Sequence, residues 1–560
     1  MQNHNSASQR PARGGYDHFN ITQDERLPPL AWMLKHARGD AHVNVLAGAD
    51  IRQADGMFWE GVNPCVDAPR KVIAHHFPLC SGALIDDGDL TVFSVGHTLD
   101  RVFVAERGAE VFIGNSLPFV LQASGLRLSP GCLTYHWHLG AIFAPEQNVP
   151  VDGGRLRIFH NVNLSIASDN SVSWAFKPKS PEFKDYAEYR TLLDAHIRDI
   201  AAAASHPINK NYAPVSMVST GYDSPAVTAL SKLAGTTTTL TITDARHGGS
   251  DSGAPIAEAL GLNVETGTRA GYLAHGIEAE RVFYVGAMAN DIVFYPWLKR
   301  LNATLLFSGY KGDMMWDRNF LRGLGPWSWD TDGATMQEMR VRAGFVHFPA
   351  AFYGWQHADR VLEISRSAEM APWTLGTDYD RPIARRIAEE AGVPRGAFGQ
   401  KKKMVTSAVG VDKATYVGID DLGLSQTFRD LLRQHRRTHG GLVLELNFWF
   451  NNSVHRLMRT AHGLAHALRR AITKAPTAGA APAAPQPNAK PSLKQRLFFE
   501  LEMQFPWRRK YMSPFTDLNF AAQVANELAG ADYAPALADA FKPRKPAPPA
   551  ANNPLASAML

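Results

Sequence analysis

Short runs of β-branched and aromatic residues, separated by Gly, Asp and Asn, dominate the chain between about residues 40 and 175. Examples are 89–95, 101–105 and 110–114. Runs of this length and composition are typical of strands rather than helices. The pattern therefore predicts a mostly β domain, preceded by a polar segment over residues 1–25 that we expect to be disordered.

The hydrophobic pattern changes after residue 183. Apolar residues at helical spacing predict a helix over about 183–205, and from residue 214 short apolar runs alternate with helical stretches. Such alternation is typical of a parallel sheet with helices on both faces. The predicted elements here are strands at Val215–Val218, Leu240–Thr243, Val282–Val285 and Thr304–Ser308, and a helix at Ala254–Leu260.

Composition marks the remaining boundaries. Ala and Pro dominate residues 475–494, which is typical of a linker, and short helices are expected at about 518–541. The predicted α/β organisation is a β-rich domain over 26–180 and a parallel-sheet, Rossmann-like domain over 181–474. A short helical extension and a disordered tail follow the linker over 495–560.

Size and charge narrow the class of protein. The 560 residues exceed one compact core, so we expect two or three domains. A net charge of +5 is small for this length and does not by itself indicate a nucleic-acid partner. Three cysteines form no paired framework, which favours a reducing compartment, and no apolar run approaches the roughly 20 residues of a membrane span. We therefore expect a cytoplasmic protein that neither spans a membrane nor binds nucleic acid.

A phosphate-binding turn is predicted directly after the strand at Val215–Val218. Backbone N–H groups in a turn of small hydroxylated residues, followed by a helix N-terminus, favour phosphate binding. An ordinary strand-to-helix connection explains this turn equally well when it is taken alone. The turn is Ser219-Thr220-Gly221-Tyr222-Asp223-Ser224.

A second turn strengthens the nucleotide interpretation. Residues 308–313, Ser-Gly-Tyr-Lys-Gly-Asp, follow the strand predicted at Thr304–Ser308. The carboxyl ends of parallel strands meet at one edge of a sheet, so we expect the two turns to lie together. Asp223 and Asp313 would then share a Mg²⁺ ion that also binds phosphate oxygens.

Four segments, in order over about 200 residues, resemble the synthetase domain of the asparagine synthetase family. Residues 219–224 resemble the Ser-Gly-Gly-x-Asp-Ser loop of the PP-loop ATP pyrophosphatases, and 308–313 resemble the family's Ser-Gly-Glu-Gly-x-Asp-Glu. Glu369–Trp373 resembles its Glu-x-Arg-x-Pro-Phe-Leu-Asp segment, and Gly399–Lys401 resembles its Arg-Gln-Lys segment. Relatives in that family include β-lactam synthetase and the lasso-peptide cyclases.

The resemblance implies that ATP and Mg²⁺ adenylate a small-molecule or peptide carboxylate, that pyrophosphate leaves, and that an amine attacks. Lys401 would stabilise negative charge at the reacting centre, although a solvated basic run over 401–403 is an equally good interpretation. Tyr310, paired with Glu369 or Glu338, would deprotonate the amine. The implied ATP-binding residues are Ser219, Thr220, Gly221, Asp223, Ser224, Gly309 and Asp313, of which Asp223 and Asp313 would also hold the metal.

Departures from the family pattern refine this expectation. Thr220 replaces the first glycine of the loop, which restricts how closely the backbone can approach phosphate. Tyr310 stands where asparagine synthetase has glutamate and β-lactam synthetase has tyrosine, and Met314 replaces the last acid, so we expect a substrate other than aspartate. Residues 103–124 faintly resemble the family's glutaminase domain, but position 2 is Gln2 rather than the nucleophilic cysteine. We therefore expect no glutamine hydrolysis.

Three functions remain open at this point. The leading hypothesis is an ATP-dependent amide-forming ligase. The alternatives are an ammonia-dependent amidotransferase acting on a sugar acid or other metabolite, and a non-catalytic nucleotide-binding relative. A further segment, His247–Asp251, follows the second predicted strand and either contacts a ligand or forms a plain loop.

Overall fold

Three large β-sheets organise the protein in a computed structural model. It describes residues 15–132, 134–140, 142, 144–245, 248–319, 334–377, 379–400, 403, 423–439 and 516–541. The strands of the β-rich region are β1 (His18–Gln23), β2 (Trp32–Ala37), β3 (His42–Ala47), β4 (Arg52–Ala54), β5 (Met57–Val62), β6 (Leu79–Asp86), β7 (Asp89–Phe93), β8 (Val102–Arg107), β9 (Glu110–Gly114), β10 (Arg127–Leu128), β11 (Glu146–Val149), β12 (Val151–Asp152), β13 (Arg155–Phe159), β14 (Val162–Ile166) and β15 (Val172–Phe176).

Two of these sheets pack face to face. One has the order β1-β3-β2-β9-β8-β13-β11, the other has the order β15-β14-β7-β6-β5-β4, and β10 pairs with β12. Alternate side chains from both sheets form the shared core, which confirms the predicted β-rich region. Strand β1 lies within the segment expected to be disordered, so that expectation is wrong for residues 18–23. Parallel pairing with β3 gives its backbone hydrogen-bond partners that composition does not reveal.

A five-stranded parallel sheet forms the centre of the second region. Its strands lie in the order β18-β17-β16-β19-β20. The chain moves outward from β16 to β18 and then returns to place β19 on the other side of β16. In open α/β sheets, this reversal point opens a crevice at the carboxyl ends of the strands. The strands are β16 (Ala213–Met217), β17 (Thr238–Ile242), β18 (Asn263–Gly267), β19 (Thr304–Phe307) and β20 (Val346–Phe348).

Helices cover both faces of the parallel sheet. The helices α2, α3 and α9 pack on one face, and α5, α10 and α11 pack on the other. The helices are α1 (Leu117–Ser124), α2 (Tyr186–Ser205), α3 (Asp223–Ser231), α4 (Ala254–Ala259), α5 (Ile277–Phe283), α6 (Gly312–Met315), α7 (Gln337–Ala343), α8 (Ala358–Arg366), α9 (Pro382–Glu390), α10 (Gln426–His439), α11 (Thr516–Ala531) and α12 (Ala534–Ala540).

One predicted strand is a helix. Residues 282–285 lie at the end of α5 and in the 3₁₀ turn Tyr284–Gly286 that follows it. All four side chains are buried, and a short, continuously apolar run does not distinguish a buried strand from a buried helix. The prediction of a strand at 282–285 is therefore wrong, whereas the strand at Thr304–Phe307 is confirmed.

The helices α11 and α12 belong to the C-terminal segment and pack into the body of the protein. Phe520 and Ala521 belong to the core between the parallel sheet and the helices α5 and α10. Ala522 and Tyr533 pack on the outer face of the seven-stranded sheet. Helix α11 thus contacts both regions. The linker expected at 475–494 lies outside the described residues. Within the part of the chain that is described, no helix is long and apolar enough to cross a membrane.

A buried ion network also joins the two regions. Arg340 on α7 donates to both carboxylate oxygens of Glu60 on β5, at 2.7 and 3.0 Å. Its Nε lies 3.0 Å from Asp100, and Ser81 donates to Glu60 at 2.7 Å. These contacts fix α7 of the parallel-sheet region against the β-rich region.

Candidate functional site

A cleft opens at the carboxyl edge of the parallel sheet, where β16 and β19 end. The turn after β16 and the turn after β19 form two of its walls. Tyr379, Arg381 and Lys403 reach it from later in the chain, and Met217, Leu240 and Ile242 supply apolar surface. The cleft therefore lies at the reversal point of the sheet, where ligands of such folds bind.

The first turn is held together by its two serine hydroxyls. The backbone N–H of Ser219 donates to Oγ of Ser224 at 2.9 Å, and the two hydroxyl oxygens lie 3.0 Å apart. The N–H of Gly221 donates to Oγ of Ser219 at 3.3 Å. Asp223 is the first residue of α3, so the turn leads directly into a helix N-terminus, as predicted. This arrangement suits an anionic group.

Thr220, which departs from the family pattern, has a defined partner. Its hydroxyl and its backbone N–H both donate to Oδ1 of Asp251, the latter at 3.1 Å. Asp251 lies at the end of the segment singled out after the second strand, and it also lines the cleft. His247 lies outside the described residues. The threonine therefore anchors the turn to the loop that follows β17.

The two predicted turns are in contact, and glycine makes this contact possible. A Cβ atom at Gly309 would lie 2.5 Å from the backbone N of Ser224. A Cβ atom at Gly312 would lie 2.5 Å from Cγ of Asp223. At Gly309 a side chain would therefore require the backbone to move, and at Gly312 it would require Asp223 to move. Lys311, between the two glycines, is buried and lines the cleft.

Arg381, a residue that the sequence did not single out, pairs with an acid expected to bind metal. Its guanidinium forms an ion pair with Asp223, its Nε lies 3.7 Å from Asp317, and it stacks over the Tyr379 ring at 5.1 Å. Burial lowers the pKa of Arg381, but the charges of Asp223 and Asp313 raise the pKa overall. Pro382 begins α9. A cation directly before a proline that starts a helix was the one sequence signal that could have pointed to Arg381.

Asp223 and Asp313 fit a magnesium site only together with a ligand. Mg²⁺ usually takes one or two protein carboxylates and completes its octahedron with phosphate and water. Both aspartates line the cleft, and a guanidinium already balances part of their charge. Among the described residues, no group of three or more His, Cys, Asp or Glu side chains is arranged to hold a metal ion.

Tyr310 is paired with Asp291. The phenol donates to Oδ1 of Asp291 at 2.5 Å, and the hydroxyl of Thr335 donates to the other carboxylate oxygen. Asp291 is fully buried. It lies between the 3₁₀ turns Tyr284–Gly286 and Ile292–Trp297, in a stretch to which the sequence analysis assigned neither an element nor a site residue.

The partners expected for Tyr310 lie elsewhere. Glu369 is exposed and forms an ion pair with Arg386 on α9 at 2.6 Å. Glu338 accepts hydrogen bonds from Ser116 at 2.8 Å and from Tyr533 at 2.9 Å. The predicted pairing of Tyr310 with either glutamate is therefore wrong. The physical reason is that nearer basic and hydroxyl groups already bind both carboxylates.

A buried serine–histidine pair lies beside the cleft, which its serine lines. Oγ of Ser308, directly after β19, lies 2.6 Å from Nε2 of His347 on β20. Burial lowers the pKa of His347 to about 3, so its ring is neutral at pH 7. The backbone carbonyl of His347 accepts from Nε2 of His97 at 3.2 Å, which connects this pair to the β-rich region.

The segment that resembles Arg-Gln-Lys reaches the first turn. The N–H of Gly399 donates to the carbonyl of Thr220 at 2.9 Å, and a Cβ atom at Gly399 would lie 2.5 Å from the Tyr222 ring. Lys401 lies outside the described residues. Lys403 lines the cleft and donates to the carbonyl of Ser250 at 2.7 Å.

Comparisons with known proteins assign no family: no family model matches the chain, and no curated protein matches it. The chemistry of the cleft is therefore inferred from its own geometry. That geometry combines two turns in contact, a helix N-terminus, and acids that are partly balanced by an arginine.

Proposed function

We propose that the protein is an ATP-dependent ligase that adenylates a carboxylate and joins it to an amine, as in the asparagine synthetase family, without hydrolysing glutamine. One observation carries the proposal. The turns after β16 and β19 contact each other at the reversal point of a parallel sheet, through Gly309 and Gly312. Ligands of open α/β sheets bind at that point, and the first turn suits phosphate.

Phosphate groups would bind between the first turn and the cations of the cleft. The N-terminus of α3 supplies backbone N–H groups and a partial positive charge. Arg381 supplies a planar guanidinium, which suits phosphate oxygens, and Lys403 adds a point charge. Asp223 and Asp313 would hold Mg²⁺ with the nucleotide, and the ion would neutralise charge on the phosphates.

The amine must lose a proton as it attacks the activated carboxylate. Tyr310 lines the cleft and is hydrogen-bonded to a buried carboxylate, which orients its phenolic oxygen. In the proposed reaction the phenol takes the amine proton while its own proton moves to Oδ1 of Asp291. Asp291 is thus the carboxylate partner of Tyr310 in this proposal, in place of the expected Glu369 or Glu338.

The cysteines do not favour a thiol-based glutaminase. Burial raises the pKa of Cys65, Cys80 and Cys132. The thiolate is the nucleophilic form, and a raised pKa disfavours it. The amine is therefore expected to come from a substrate or from free ammonia rather than from glutamine.

Exchange of labelled pyrophosphate into ATP, measured across a panel of carboxylic acids, tests the proposal. At least one acid should support exchange, and Asp223→Asn should reduce it about 100-fold or more, because the variant loses a metal ligand. Asp199→Asn, an exposed acid on α2, is the matched control. Product formation that requires added ammonium would identify an ammonia-dependent amidotransferase.

A non-catalytic nucleotide-binding protein is the second candidate. The ion pair between Arg381 and Asp223 favours it, because the guanidinium binds a carboxylate that catalysis would need for metal. Nucleotide binding without pyrophosphate exchange, for every acid in the panel, would support this candidate and overturn the ligase proposal.

A further inference from the structure

Arg381 lies among several acids. Three aspartates influence it: Asp223, Asp313 and Asp317. Lys311 and Lys403 line the same cleft, but Asp223 forms an ion pair with Arg381. The side chain of Asp223 is 16% exposed and lines the cleft, so this partner does not lie in a closed core. The arginine therefore holds a carboxylate at a place that small ions and ligands can reach.

The backbone next to Arg381 is fixed, whereas its charged end faces the cleft. Oδ2 of the neighbouring Asp380 accepts from the N–H groups of Leu375 and Gly376, at 3.0 and 2.9 Å. Pro382 begins α9 on the other side. Arg381 lines the cleft, and its guanidinium pairs there with Asp223. The ion pair therefore lies where a bound ligand can meet both partners.

We propose that Arg381 is a built-in counter-cation for Asp223 and Asp313, and that Mg²⁺ and nucleotide bind together by exchanging partners with it. The guanidinium moves from carboxylate to phosphate, and the carboxylates move from guanidinium to metal. Each anion keeps a cationic partner throughout, which avoids leaving a buried charge uncompensated. This inference rests on the proposed function, because it takes nucleotide to be the ligand of the cleft.

Coupled binding is the measurable consequence. Metal alone competes with the guanidinium for Asp223, so it binds weakly to the wild-type protein. Nucleotide removes the guanidinium from the carboxylates, so metal binds more tightly in its presence, and linkage requires the reverse effect to be equal. Arg381→Met removes the charge while keeping an apolar stem against Tyr379.

Titration with Mn²⁺, followed by electron paramagnetic resonance of the free ion, tests the exchange on the full chain. Wild-type protein should bind Mn²⁺ at least 10-fold more tightly with an α,β-methylene ATP analogue than without it. Arg381→Met should bind Mn²⁺ without nucleotide at least 10-fold more tightly than wild type, and adding Asp313→Asn should reverse the gain. Arg386→Met is the matched control, since this arginine also lies on aromatic rings but outside the cleft, over Tyr186 and Trp373.

The outcomes separate this inference from the proposed function. Equal Mn²⁺ affinity for wild type and Arg381→Met overturns the counter-cation, even if nucleotide binds. A gain in Mn²⁺ affinity without any nucleotide binding supports the counter-cation and overturns the ligase proposal. If the methionine variant does not fold, Arg381→Gln removes the same charge and keeps a hydrogen-bond donor for Asp223.

Discussion

Arg340 and Arg381 are both buried arginines paired with carboxylates, yet their surroundings differ. Arg340 joins the two regions, and its partners Glu60 and Asp100 are 0% and 6% exposed. Arg381 faces a cleft, where Asp223 is 16% exposed. Protein surrounds the ion pairs of Arg340 with Glu60 and Asp100, which form a fixed joint between the two regions. The ion pair of Arg381 with Asp223 borders a cleft, so its partners can exchange.

The largest expected effect concerns the joint. Arg340→Met should lower the free energy of unfolding by about 3–5 kcal/mol, because it leaves Glu60 and Asp100 buried without their cation. Arg381→Met should cost less than about half of that, since water can reach the aspartates of the cleft. Urea unfolding of both variants measures the difference. Equal losses would contradict the comparison, and adding Glu60→Leu to Arg340→Met should restore part of the stability.

Glycine variants provide the next test, this time within the cleft. Gly309→Ala should cost about 1–3 kcal/mol through overpacking, and it should weaken nucleotide binding at least 10-fold, because the new Cβ meets the backbone of Ser224. At Gly396, which does not line the cleft, a new Cβ would have no neighbour within 4 Å, so Gly396→Ala is the control. Unfolding and nucleotide titration measure both effects. A tolerated Gly309→Ala would contradict the close contact of the turns.

Mild acid should lower the stability of the folded protein before it changes nucleotide binding in the cleft. Burial lowers the pKa of His97, His160 and His347 to about 3. Between pH 6.5 and 3 the unfolded chain therefore binds more protons than the folded one, so stability is full above pH 6.5 and falls as pH falls. At pH 5 each such histidine costs about 2 kcal/mol.

Thermal unfolding at pH 7.5 and pH 5 measures this loss. His97→Gln should reduce the difference between the two pH values by about 2 kcal/mol, whatever its effect at pH 7.5. Nucleotide affinity of the protein that remains folded should change little over this range. A loss of affinity that precedes unfolding would show that the cleft titrates first.

Tyr310→Phe has the smallest expected effect on stability. The variant removes one hydrogen bond to Asp291 and leaves that of Thr335, so the cost should be about 1 kcal/mol. Amide formation should fall about 100-fold while pyrophosphate exchange is retained, because the phenol acts after adenylation in the proposed reaction. Separate assays of exchange and product formation test this, and a parallel loss of both would contradict the assigned role.

Local patterns in the sequence predicted the elements that carry the cleft. The strand before Ser219, the helix after it and the strand at Thr304–Phe307 follow from apolar runs and turn residues. Contacts between distant segments were not predictable in this way. Asp223 and Arg381 are 158 residues apart, and no periodicity links them. Strand β20 has only three residues, too few to show an alternating pattern.

The hydrogen bond of Tyr310 is a second contact that local sequence patterns could not predict. The position of Tyr310 in a turn after a strand was predicted, but its partner Asp291 lies directly before the 3₁₀ turn Ile292–Trp297, where no motif marked a site residue. Burial of an aspartate is unusual enough that sequence alone places such a residue at the surface. The partner became visible only once the fold brought the two segments together.

The position of α11 has a practical consequence for handling the protein. Helix α11 places Phe520, Ala521 and Ala525 in the interior, and Tyr533 stacks on Phe119. A chain that lacks the residues from 516 onward would therefore expose a large hydrophobic surface to solvent. Such surfaces promote aggregation during expression. Any fragment prepared for study therefore needs residues 516–541, even when the experiment concerns only the cleft of the parallel-sheet region.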